Sequence, residues 1–187
     1  IGTQSQNADM EDYIFHVKKN GLTILDLNTT DKQIRAIAQT LVEYDPQEIL
    51  VVGRKDEAYQ PIKAFSDAIG TKTINGRFMP GTMTNPKSES FMEPEIVLVT
   101  DPEEDRQAIT EASDANIPII AIADSENNLE GVDKVIAANN KGEKALGMVF
   151  YLLADQIKEQ IGEKLDFKQE DFVSVTIEED KEEAAEA

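Results

Sequence analysis

Three aspartates close apolar runs along the chain: Asp26 after TILDL begins, Asp101 after IVLVT, and Asp124 after IPIIAIA. Gathered at one place, such carboxylates would bind Mg²⁺ and support phosphoryl transfer on a nucleotide. Each would equally cap the turn or helix that follows it, which is the simpler reading. The remaining parts of a nucleotide enzyme do not follow in the sequence. There is no GxxxxGK[ST] loop and no GxGxxG after a strand. The chain has no cysteine and one histidine, His16, which excludes thiolate chemistry and multi-histidine metal sites. His16 lies in a polar stretch beside Lys18 and Lys19, as expected of a surface group.

Two other segments have the composition of a nucleic-acid contact. The stretch 76–94, GRFMPGTMTNPKSESFMEP, is long for a loop within one domain, and such loops are usually functional. Arg77 and Lys87 suit phosphate, Phe78 suits a base, and Thr82, Thr84 and Asn85 suit phosphate or ribose oxygens. Gly81 permits close backbone approach. The second segment, AANNKGEK (137–144), precedes the strongest helix signal of the chain and presents Asn139, Asn140 and Lys141 near its anion-binding N-terminus. Before residue 22 no fold period is visible, and the mixture of Gln, Asn, aromatic and Lys residues reads as an arm lying on a partner.

These residues need a scaffold, and the apolar pattern supplies one. Strand-like runs TILDL, EILVVG, TKTIN, IVLVTD, IPIIAIAD and DKVIAAN alternate with helical periods. The first helix is expected to be capped by Thr29, Thr30 or Asp31, and the second to begin at Pro61. Two more are expected over about 104–115 and over 143–161. Continuous apolar strands between helices predict a parallel sheet covered on both faces, a doubly wound three-layer α/β sandwich. The expected organisation is an arm (1–21), an α/β domain (22–165) and an acidic tail (166–187), with one further strand over 172–177.

Charge narrows the function further. There are 37 acids and 18 bases among 187 residues, a net charge of −19. That excludes a broad basic face as the source of affinity and suits a chain working in concentrated salt. No apolar run approaches the roughly 20 residues a membrane helix needs, and no signal peptide is visible.

Four blocks occur in order: IGTQ…DMEDYIFHVKKNGLTILDL, GRFMPGTMTNP, TDPEEDRQAITEASDANIPIIAIAD, and VIAANNKG before an amphipathic helix. Together they resemble the second protein of the small ribosomal subunit, in its archaeal and eukaryotic branch, whose eukaryotic member is the laminin-receptor-like ribosomal protein. The resemblance covers about residues 1–160. It implies a flavodoxin-like domain without the helical hairpin inserted in bacterial members. It also implies a cytoplasmic, non-catalytic ribosomal constituent with no cofactor. Such a protein would sit at the head–body junction on the solvent side, bound to small-subunit ribosomal RNA and neighbouring ribosomal proteins. Carried over by motif, the RNA-facing residues are Thr3, Gln4, Lys18, Lys19, Arg77, Phe78, Thr82, Thr84, Asn85, Asn139, Asn140 and Lys141. This chain is poorer in arginine than the family pattern, with four in all. The turn after its second strand reads Arg54-Lys55-Asp56-Glu57. Because Lys lacks the bidentate fork of Arg, fewer RNA contacts and more protein contacts are expected.

Overall fold

The structure is a computed structural model and describes residues 2–164 and 166–173. Its first apolar run does not join the main sheet. Strand β1 (Ile14–Val17) pairs antiparallel with β2 (Thr23–Leu25), joined by a turn at Gly21, whose φ is +82°. Asp26, directly after β2, is the N-cap of helix α1 (Leu27–Leu41). Its carboxylate accepts from Asn28 N–H at 3.1 Å and Thr29 Oγ1 at 2.6 Å. This corrects the expectation that Thr29, Thr30 or Asp31 caps the helix, because Asp26 reaches the free N–H first. It also removes Asp26 from any cluster of aspartates at a parallel-sheet edge.

The chain then winds as expected. After β3 (Ile49–Gly53) come α2 (Asp56–Ile69), β4 (Lys72–Asn75), a long loop, β5 (Ile96–Val99), α3 (Arg106–Asp114), β6 (Ile119–Ala123), β7 (Lys134–Ala137) and α4 (Glu143–Ile161). Helix α2 begins five residues before Pro61, because Asp56 and Glu57 occupy a favourable first turn and Pro61 packs inward within the helix. The five later strands form one parallel sheet in the order β4-β3-β5-β6-β7. Within that sheet this is the flavodoxin-like order, with strand direction of travel reversing between β3 and β5.

Alternate strand residues feed two cores. Ile49, Val51, Ile96, Leu98, Ile120, Ile122 and Ile136 meet α1, α2 and α4 on one face. There the Phe65 and Phe150 rings lie 5.3 Å apart. Leu50, Val52, Val97, Val99, Ile119 and Ala121 point the other way, to α3 and to Phe78 and Met83 of the long loop. Over β6 and β7 this second face is covered by Met10, fully buried against Ala123, Val135 and Ala137. The connections from β4 to β5 and from β6 to β7 contain no α-helix, so loop and N-terminal segment fill the second layer beside α3. Among the described residues there is no long helical hairpin.

The free edge of β7 is sealed by side chains of α1. Thr30 Oγ1 donates to Ala137 O at 2.6 Å, and Gln33 Oε1 accepts from Ala137 N at 2.9 Å. That pairing satisfies backbone groups an edge strand would otherwise leave open.

The start of the acidic segment is also part of the packing. A short 3-10 turn, Gln169–Phe172, buries Phe172 completely, edge-on to Tyr151 and Phe167 at 5.7 and 6.5 Å. Gly147 of α4 makes this possible, since a Cβ there would stand 2.6 Å from the Phe172 carbonyl oxygen. The rest of the expected strand 172–177 and the sequence EEDKEEAAEA lie outside the described residues.

Two truncations should therefore behave differently. A chain ending at residue 173 keeps its urea midpoint, whereas one ending before 166 loses the aromatic cluster. Phe172→Ala should cost about 3–5 kcal/mol in urea denaturation, as for other buried aromatics. Equal midpoints for the two truncations would contradict this packing.

Candidate functional site

Every parallel strand delivers its following loop to the same edge of the sheet, the carboxyl edge where α/β proteins place their sites. From one side to the other these loops carry Asn139–Lys141 after β7, Asp124–Asn127 after β6, Asp101 after β5, Arg54–Lys55 after β3 and Arg77 after β4. The N-terminal segment lies along part of this edge. Thr3 N–H donates to Ser125 Oγ at 3.0 Å, and Asn7 N–H to Ser125 O at 2.8 Å. Gly2 and Thr3 also bond to the backbone of Thr23, so the segment is stitched to the β1–β2 hairpin as well. Gln4 reaches the hairpin turn, donating to Asn20 O at 3.2 Å beside Lys18 and Lys19.

The middle of the edge is a buried polar network. Asn127 Oδ1 accepts from Asp124 N at 2.8 Å and from Asn140 Nδ2 at 2.9 Å, while its own amide donates to Asp101 Oδ1 at 3.2 Å. Asn140 also donates to Ile122 O at 3.1 Å. Asp101 pairs with Lys55, and Lys141 pairs with Glu126. The bond from Lys141 holds Glu126 below the ordinary carboxylate range, and Glu126 in return raises Lys141. Burial pushes Asp124 up. Its Oδ1 accepts from Ser125 N at 2.6 Å.

At the reversal point, Arg54 and Arg77 approach one pocket of about 380 Å³. Buried Asp105 fixes its floor, accepting from Arg54 N at 3.0 Å, Thr100 Oγ1 at 3.2 Å and Asp101 N at 3.1 Å. Burial lifts Asp105 to about 6 despite those bonds. Beside it, Glu111 anchors the long loop. Its carboxylate accepts from Gly81 N at 2.7 Å, Met83 N at 3.1 Å, Thr84 Oγ1 at 3.3 Å and Gln107 Nε2 at 2.8 Å. Burial alone would raise Glu111, but these four donors together leave it below its usual range.

The twelve residues expected to face RNA are thus divided. Lys18, Lys19, Arg77, Thr84, Asn85, Gln4 and Lys141 are exposed, and Thr3 and Asn139 are half-buried. Phe78, Thr82 and Asn140 are buried. Phe78 packs in the second core, Thr82 donates to Met79 O at 2.6 Å, and Asn140 holds the Asn127 network. The structure brings Thr3 and Lys141 together around Ser125 and Glu126, and Gln4 together with Lys18 and Lys19. Arg54, Lys55, Ser125 and Asn127 share the edge too. Their positions immediately after β3 and β6 were the available signal. Lys18, Lys19, Arg77 and Lys87 make no ion pair with a described residue, whereas Arg54, Lys55 and Lys141 are each matched to an acid.

A protein-family model described as Ribosomal protein S2 matches residues 2–91 and 87–160. The chain belongs to the ribosomal protein S2 family. That family is structural and non-enzymatic, a constituent of the small ribosomal subunit. The two matched stretches overlap inside the 76–94 loop and cover both cores apart from Phe167 and Phe172. In this family member the strand-end aspartates have structural partners: Asp26 caps α1, Asp101 pairs with Lys55, and Asp124 orders the Ser125 turn. Among the described residues no helix is long and apolar enough to cross a membrane.

Two measurements follow. Glu111→Ala strands the Gly81 and Met83 N–H groups and should cost about 2–4 kcal/mol, with faster amide exchange confined to the loop. Asp105 has the opposite pH sign to an ordinary salt-bridged acid, because its folded value lies above its unfolded one. Its contribution is full below about pH 3.8 and is lost as pH rises through about 6. The stability difference between parent and Asp105→Asn should therefore shrink by about 2–3 kcal/mol between pH 4 and 7. A pH-independent difference would show that Asp105 stays ionised throughout.

Proposed function

We propose that this chain docks on small-subunit ribosomal RNA through the carboxyl edge of its sheet, with the N-terminal segment and the 76–94 loop as flanking contacts. The observation that carries the reading is the convergence of all five strand-end loops and the N-terminal segment on one edge, together with four cations that form no ion pair with a described residue. Phosphate contacts from Lys18, Lys19, Lys87 and Arg77 would fix position rather than read sequence. Thr3, Gln4, Thr84, Asn85, Asn139 and Lys141 supply further polar contacts along the same band. Phe78, Thr82 and Asn140 act indirectly, by holding the loops that carry those contacts.

The finer placement is part of the same reading. The chain sits at the head–body junction on the solvent side, in the archaeal and eukaryotic style without an inserted hairpin. Its acidic remainder faces solvent or neighbouring ribosomal proteins. The family match and the four ordered sequence blocks support this assignment. So does the electrostatics: with a net charge of −19, attraction to RNA has to be local, and internal ion pairs at Arg54, Lys55 and Lys141 reduce it further. Docking is thus expected to depend on shape and on protein neighbours as well as on phosphate.

Sedimentation of a lysate through sucrose at native salt and Mg²⁺ tests the reading. The chain should travel with small subunits and withstand a moderate salt wash. In competition with the parent, Lys18→Ala/Lys19→Ala/Lys87→Ala should enter subunits at least about tenfold less well while melting at the parent temperature. Migration only at the top of the gradient, or equal incorporation of the triple variant, would refute it.

A further inference from the structure

The pocket beneath Arg54 and Arg77 offers more than the phosphate contact assigned to Arg77. Its walls combine two guanidinium groups, the Glu104 carboxylate, the Gln107 amide and Pro80 around the nearly buried ring of Phe78. Its exposed walls carry two guanidinium groups and one carboxylate, Glu104, with Asp105 buried beneath, so a ligand bearing both acceptors and donors uses them more fully than a bare phosphate. Arg54 Nη1 stands 3.8 Å from Glu104 Oε2, an ion pair without a hydrogen bond between groups that are each about half exposed. Both therefore remain available to a ligand that presents acceptors and donors side by side.

A guanine base presents that pattern. Its O6 and N7 accept from a guanidinium fork, and its N1–H and N2–H₂ donate to a carboxylate. Adenine offers an N6 donor where guanine has O6, and would set it against an arginine. Cytosine and uracil lack the second ring that spans both groups. A volume of about 380 Å³ admits one nucleoside and little more. The location agrees, since this is the crevice between β3 and β5 where the strand order reverses.

The walls are also held before any ligand arrives. Asp105 fixes the Arg54 backbone, and Glu111 fixes Gly81 and Met83 while holding Gln107 through its amide. A site built this way spends little ordering entropy on binding.

We infer that this pocket receives one unstacked guanine from a single-stranded or looped segment of RNA, with Arg54 and Arg77 on its acceptor edge and Glu104 on its donor edge. The inference rests on the RNA-docking reading and adds a base-reading contact to it. Single-stranded RNA is read in this manner, by splaying a base into a pocket and bonding its edges.

Amide and arginine side-chain NMR spectra of the full chain test it, with UUGUU, UUAUU, GMP, AMP and inorganic phosphate as probes. UUGUU and GMP should shift Phe78, Gln107 and the Arg54 and Arg77 side chains, and the adenine counterparts should bind at least about tenfold more weakly. Arg77→Ala should lower UUGUU affinity about tenfold, and Glu104→Gln should bring guanine and adenine to within about threefold of each other. Glu104 lies on the surface, so this variant folds. Equal shifts from every nucleotide, the same shifts from inorganic phosphate, or none at all would overturn the inference. So would binding of GMP without UUGUU, which would make the pocket a free-nucleotide site. Sedimentation separates the two ideas: a chain that travels with subunits but ignores guanine loses the pocket and keeps the docking.

Discussion

A parallel sheet must be covered on both faces, and here helices cover only one of them fully. Helices α1, α2 and α4 close the first face, while α3 is the only α-helix on the second among the described residues. The exposed remainder would leave strand residues such as Val52, Val99 and Ala123 facing water. Burying an aliphatic side chain of this size is worth roughly 1.5–3 kcal/mol, so the gap has to be filled. The chain fills it with segments that have no regular structure of their own. Phe78 and Met83 of the 76–94 loop close one end, and Met10 closes the other.

That constraint links packing to the site. A loop used as a core lid has to be pinned, and its backbone donors need partners where water is excluded. Glu111 serves this need for the loop, and Ser125 and Thr23 serve it for the N-terminal segment. A side effect is that both segments are rigid where they pass the carboxyl edge. Exposed residues at or beside the pins, Arg77, Thr84 and Asn85 in one and Gln4 in the other, are therefore held close to the packed segments. Stability of the second core and presentation of the polar edge are two consequences of one arrangement.

This is also why the sequence was legible in some respects and opaque in others. Strand and helix identity followed from apolar runs and helical periods, and α4 occupies the span its period predicted. Sheet order, by contrast, is a long-range property; the right-handed crossover rule limits it but does not choose between β2 and β7 as edge partners for α1. TILDL reads as a strand equally well in a hairpin and in a parallel sheet, because three residues carry too little pattern to tell them apart. The loop was the harder case. Its Gly, Pro, Thr and Asn residues describe a turn-rich surface segment, and composition gives no means of knowing that Phe78 and Thr82 point inward while Arg77 and Thr84 point out. Period-free segments have no face until tertiary structure assigns one. The same holds for Asn140: NNKG reads as a polar turn, yet only the first Asn and the Lys reach the surface, since Asn127 lies beneath to receive the second.

The acid excess can be placed in the same frame. Part of it is paired: Glu126 on Lys141, Asp101 on Lys55, Glu104 on Arg54, Asp31 on Arg35, Glu130 on Arg106. Three of these five pairs sit on the edge itself, where each sets one positive charge against one negative. The exposed pairs among them, such as Asp31–Arg35 and Glu130–Arg106, contribute little to stability, about 0–1 kcal/mol each. Their larger effect is on the field. Matching these charges internally leaves hydrogen-bonding groups, and the cations that form no ion pair with a described residue, as what the edge can offer a ligand. In concentrated salt, where long-range attraction is screened within a few ångströms, a binding edge organised around short-range contacts loses less than one built on net charge.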